Sequence, residues 1–115
     1  MSKNLNVLCY NKIRFKQFSL SLKNQGDKYC YLRINVLLRV ENISVSDGKI
    51  RLTGVSLLDP VSFPNYSVNS LELNVYVGNT WSQPTIFSAE EVKMKAVCIP
   101  YKDTFCFLPL IHSDR

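Results

Sequence analysis

The stretch at residues 29–41, YCYLRINVLLRVE, decides the fold class. Read in steps of two, it puts Cys30, Leu32, Ile34, Val36, Leu38 and Val40 on one side and Tyr29, Tyr31, Arg33, Asn35, Leu37, Arg39 and Glu41 on the other. Successive side chains of a strand point to opposite faces, so this period of two predicts one long strand with a core face and an amphipathic face. Beyond Glu41 the apolar phase slips to Ile43 and Val45. A bulge at Glu41-Asn42 accommodates such a slip, and a strand of this length is expected to contain one. Asp47-Gly48 then supplies the two positive φ angles of a type I′ turn and closes a hairpin onto residues 49–57. In that return strand Ile50 and Leu52 are expected to face inward, Lys49 and Arg51 outward.

Working outward, residues 4–10 alternate through Leu5, Val7 and Cys9, and residues 12–22 carry Ile13 and Phe15 before shifting phase to Phe18, Leu20 and Leu22. These read as a second long hairpin with a bulge at Lys16-Gln17, followed by a polar turn over 23–28. Pro60 and Pro64 make 59–70 a loop, because proline has no N–H to give to a ladder. Alternation resumes over 71–77, and Gly78-Asn79 turns the chain toward 81–87. Ser88-Ala89-Glu90-Glu91 matches a capping box and allows a short helix over 89–96. The alternation of Val92, Met94, Ala96 and Cys98 favours a strand there instead. A last strand covers 104–108. The reading is all-β: a single-domain antiparallel β-sandwich or jelly roll of about eight strands over residues 1–115, with at most one short helix near 89–96.

With 115 residues the chain is long enough to bury roughly two-thirds of its unfolded surface in one core. Hydrophobic residues at 46% and charged residues at 20% exclude a disordered or collagen-like chain. Cys9, Cys30, Cys98 and Cys106 have neither CxxC pairing nor zinc-ligand spacing, no signal peptide precedes Cys9, and no run approaches a membrane span. Reduced thiols, each packed as a small hydrophobe, and a cytoplasmic location are the corresponding expectations. The only histidine stands in His112-Ser113-Asp114, and sequence neighbours in a terminal tail cannot converge on one reacting atom. Neither a facing carboxylate pair nor a phosphate-cradling glycine loop is present. The expectation is therefore a non-enzyme with no cofactor, no metal and no small-molecule substrate.

Charge is the informative property. Residues 1–51 hold 10 basic and 3 acidic side chains, whereas 52–115 hold 4 and 6, so a net charge of +5 conceals a polarised chain. Lys12, Arg14 and Lys16 fall at i, i+2 and i+4, Lys49 and Arg51 repeat that spacing, and Arg33 and Arg39 share the outer face of 29–41 with Tyr29 and Tyr31. Three neighbouring strands would then present one basic face carrying aromatic rings. Such faces track phosphates and stack bases, so single-stranded nucleic acid or an anionic membrane surface is the expected partner. The region between Arg51 and Lys93 lacks Lys and Arg, and Phe63 and Tyr66 in its proline-bounded loop are candidates for self-association into a homo-oligomer. A compact all-β chain with a basic face is similar in outline to viral coat, matrix and movement proteins, a likeness of fold alone. The alternative is a protein-binding adaptor that uses a strand edge and the aromatic loop 59–70, with no nucleic-acid role.

Overall fold

The structure, a computed structural model, describes residues 8–61 and 75–110. Its strands are β1 (Leu8–Tyr10), β2 (Lys12–Arg14), β3 (Ser19–Ser21), β4 (Tyr29–Leu32), β5 (Leu37–Ser46), β6 (Lys49–Ser56), β7 (Tyr76–Gly78), β8 (Thr85–Ser88), β9 (Val92–Tyr101) and β10 (Thr104–Pro109). One sheet follows the order β7-β10-β9-β4-β5-β6-β8, β1 adds to β5, and β2 with β3 forms a separate two-stranded sheet. Every strand pair is antiparallel. The all-β antiparallel fold expected from the alternation is the one the chain adopts. Its layers arise because the large sheet curls until the chain beyond β6 meets β7 through the bridge Val61–Val77 and the segment after β7 through Leu57–Trp81, and because the small sheet packs on its outside.

The strand count exceeds eight because two expected long strands are each broken by a turn. Residues 29–41 form a hairpin. Asn35 takes φ 61°, its N–H donates to the Leu32 carbonyl at 2.9 Å, and the Leu32 N–H donates to the Val36 carbonyl at 2.8 Å. That is a three-residue loop ending in a left-handed residue, a conformation asparagine tolerates better than most. Residues 12–22 likewise fold back at Lys16-Gln17, where the Phe15 N–H donates to the Phe18 carbonyl at 2.7 Å, so the phase shift marks a turn and not a bulge. The described part of the first segment does not pair with it: β1 lies against β5, with Tyr10 opposite Ile43.

Other local expectations match. The β5–β6 register shifts between Val40 and Asn42, leaving Glu41 as the extra residue. Asp47 and Gly48 have φ 54° and 74° and join Ser46 to Lys49. Ser88 does cap a turn, its hydroxyl accepting from the Glu90 N–H at 3.2 Å, but only a single 3-10 turn (Ala89–Glu91) forms before β9 takes over. The polar turn holds another, Gln25–Asp27.

Burial follows from the curl. Cys30, Leu32, Leu38, Val40, Ile43 and Leu52 pack with Ile13 and Leu20 of the small sheet. Tyr29, Tyr31 and Leu37 pack on the other side with Leu57, Tyr76, Ala96 and Phe107. Strand β4 is thus buried on both faces, which corrects the amphipathic face expected of it. The Tyr76 hydroxyl donates to the Asn35 carbonyl at 2.8 Å and ties β7 to the β4–β5 loop.

Two thiols depart from uniform burial, since Cys9 is exposed and Cys98 half-buried, while Cys30 and Cys106 are buried. Burial pushes the Cys30 thiol up to about 12. Only the thiolate attacks a thiol reagent, so Cys9 should react first in native protein and Cys30 only on unfolding. Mass spectrometry of timed alkylation checks the order; early labelling of Cys30 would contradict this packing.

Candidate anion-binding surface

The sequence-derived site residues do not share one face. Residues directly paired across antiparallel strands lie on the same side of a sheet. Leu52 opposite Ile43 faces the side covered by the β2–β3 sheet, so Arg51 and Lys49, one and three positions before it, project from the other side. Lys12 and Arg14 belong to the covering sheet itself, flanking the buried Ile13 and exposed at both positions. The basic strands therefore divide into two groups on opposite sides of the large sheet.

The remaining candidates fall elsewhere. Tyr29 and Tyr31, at 8% and 1% exposure, are core rings and offer no stacking surface. Arg33 lies in the β4–β5 loop and its Nε donates to the Glu90 carbonyl at 3.1 Å. Arg39 is half-buried, pairs with Glu41 at 3.1 Å and lays its guanidinium over the Trp81 ring at 4.6 Å, so its charge and its planar face are both engaged. Lys16 is exposed at the β2–β3 turn beside the stacked rings of Phe15 and Phe18. Phe63 and Tyr66 lie outside the described residues.

What the alternation did not disclose is a groove between the two sheets. Ile50, expected inside, is 40% exposed, and Tyr10 is 46% exposed. Tyr10 opposite Ile43 and Ile50 opposite Val45 put these four side chains on one face of β1, β5 and β6. Together with Lys12, Ile13 and Arg14 they line a depression of about 240 Å³. The periodicity of Ile50 is that of a core residue; among the described residues the two-stranded sheet does not cover it, and no local signal encodes how far that sheet extends.

Electrostatics single out the same place. Among the described residues the ion pairs are Arg39–Glu41 and Lys95–Asp27, so Lys12, Arg14 and Lys16 form no ion pair there, although the Lys12 charge is near enough to Asp27 to help lower its carboxyl. No acidic side chain lines the groove. The small sheet is held in place from β9: the half-buried Lys95 Nζ donates to the Ser19 carbonyl at 3.0 Å and to Asp27 Oδ1 at 2.8 Å. That hydrogen bond holds the Asp27 carboxyl below its ordinary value of 3.8. A carboxyl depressed in the folded state contributes stability above its unfolded value and loses it as pH falls through the folded one. Acid unfolding below about pH 4 should therefore be less steep in Asp27→Asn than in the parent. Because Asp27 is 39% exposed, the variant should cost no more than about 1 kcal/mol at neutral pH, measured by urea titration. Identical acid limbs for the two proteins would count against the Lys95–Asp27 contact.

No helix among the described residues is long and apolar enough to cross a membrane, and no group of three or more His, Cys, Asp or Glu among them could hold a metal ion. Residues 1–110 match the model of a protein family described as Domain of unknown function (DUF8592). No curated protein and no solved structure matches the chain.

Proposed function

The chain belongs to this family of domains of unknown function, and from its surface we propose a non-enzymatic interaction protein that holds an anionic partner against the β2–β3 sheet. Lys12, Arg14 and Lys16 are the contacting cations. One observation carries the reading: the exposed Lys12 and Arg14, which form no ion pair among the described residues, border a groove that no acidic side chain lines, and the exposed Lys16 stands at the turn that follows them. Unpaired exposed charges keep their field available, and that field recruits anions. Lys49 and Arg51, on the far side of the large sheet, add to long-range attraction without touching the same partner. With Tyr29 and Tyr31 in the core, charge and not base stacking supplies the grip. The proposed setting is the cytoplasm, where four free thiols remain reduced.

Labelled single-stranded RNA, phosphatidylserine vesicles and polyglutamate test this. The protein should bind at least one of them at about 50 mM salt and release it steeply as salt rises. The paired change Lys12→Glu and Arg14→Glu should abolish that binding, while Lys49→Glu with Arg51→Glu should weaken it several-fold at most. Both variants should keep their unfolding midpoints within a few degrees, since exposed charges add little stability. Failure to bind any of the three polyanions, or equal loss from the two charge pairs, would overturn the assignment.

A further inference from the structure

The apolar floor of the groove says more about the partner than the cations do. Tyr10 and Ile50, both exposed, and the half-buried Val45 form a hydrocarbon surface over the buried Ile43, bordered on one side by Lys12 and Arg14. Resting on the reading that these cations hold an anion, we infer that the groove docks an acidic polypeptide segment of a partner protein, with one apolar side chain between Ile43, Val45 and Ile50 and neighbouring carboxylates on Lys12 and Arg14.

Charge complementarity selects the acidic character, because Lys12 and Arg14, which form no ion pair among the described residues, border a floor lined by no acid. The floor selects a polypeptide. A phosphodiester or base edge laid on isoleucine and valine would lose water and gain no hydrogen bond, which is costly. A lipid surface takes side chains that protrude, whereas this is a depression of about 240 Å³. A cavity of about 150 Å³ accommodates a benzene-sized group, so the depression has room for a leucine or phenylalanine side chain. An apolar anchor in a small recess with charged groups around it is the usual anatomy of a protein interface.

The test uses two labelled synthetic peptides of glutamate and glycine, one with a single central leucine and one with alanine in its place, followed by fluorescence anisotropy. The leucine peptide should bind the parent about tenfold more tightly, the worth of a partly buried isobutyl group. Ile50→Ser should erase that difference while leaving the alanine peptide unaffected, and Tyr10→Ser, also at an exposed position, should reduce it independently. Arg14→Glu should weaken both peptides. Equal affinity of the two peptides for the parent, with both still weakened by Arg14→Glu, would overturn the polypeptide inference and leave the anionic reading standing. Tighter binding of single-stranded RNA or phosphatidylserine vesicles than of the leucine peptide would also overturn it. Binding to no anion at all would remove both.

Discussion

Gly54→Ala should lower the thermal midpoint by more than about 10 °C, a large loss for one added methyl group. Gly54 lies in β6 opposite Val40, next to the place where Glu41 is squeezed out of register. A Cβ built there falls on the carbonyl oxygen of Arg39 and within 3.1 Å of both its carbonyl carbon and Leu38 Cδ1. The first two belong to the backbone of the neighbouring strand and move only if the β5–β6 ladder moves with them. Overpacking typically costs about 1–3 kcal/mol, and an obstacle made of backbone belongs at the upper end. At roughly 4 °C per kcal/mol for a chain of this size, the expected shift follows. Gly78→Ala is the control: its added methyl meets only the Leu57 side chain, at 3.3 Å and beyond, and a rotamer adjustment relieves it. Its cost should stay under about 1 kcal/mol. Equal midpoints for the two variants, read by scanning calorimetry, would mean that the bulge is not the tight contact described.

The bulge itself was legible because it leaves a mark in the sequence. An inserted residue reverses the alternation, and the slip from Val40 to Ile43 records it directly. Asp47-Gly48 was legible for a similar reason, since few residue pairs accept two positive φ angles in succession. The break at Asn35 was not. Alternation continues across it, Leu32, Ile34 and Val36 keeping phase, and a three-residue loop with a left-handed end preserves the period while reversing the chain. The same ambiguity hid the Lys16-Gln17 turn, where a change of phase fits a bulge and a tight turn equally well. Asn35 carried the only cue, as an asparagine in the middle of an apolar run.

The candidate surface was harder to read than the fold because it depends on which face each strand turns to its neighbours. The spacing of Lys12, Arg14, Lys49 and Arg51 gives the side of each strand on which they sit, and all four are exposed as expected. It does not say that β2 belongs to a separate sheet lying across the large one. That follows from Ile13 and Leu20 packing onto Leu38, Val40 and Ile43, a contact between distant parts of the chain. Tyr29 and Tyr31 illustrate the converse. Placed beside Arg33 and Arg39 they resemble a stacking platform, yet the curl of the sheet closes over them and fills their side with Phe107 and Tyr76.

Phe107→Ala should remove about 3–5 kcal/mol, the usual cost of deleting a fully buried phenylalanine ring and leaving its cavity. Phe107 is 0% exposed and stands at the centre of the enclosed side of the large sheet. Its ring lies 5.3 Å from Tyr29, 5.7 Å from Trp81 at 86° and 6.4 Å from Phe105. The tilted and edge-on geometries add to the area lost. Domains of this kind hold only about 5–15 kcal/mol in total, so the variant should be folded in the cold and largely unfolded well below the parent's midpoint. Trp81 is the only tryptophan in the chain, and losing the ring against which it stands should shift its emission to the red even in the folded variant. The opposite side of the sheet is where the functional proposal stands or falls. The β2–β3 sheet and the groove pack on Leu38, Val40, Ile43 and Leu52, none of which belongs to the Phe107 cluster. Sites that share no contacts behave independently. Binding of an anionic partner, measured at a temperature where far-ultraviolet dichroism shows the variant folded, should therefore stay within about threefold of the parent. A folded Phe107→Ala protein that has lost binding would move the site off the groove and onto the enclosed aromatic side, where Arg39 over Trp81 would become the cation to test.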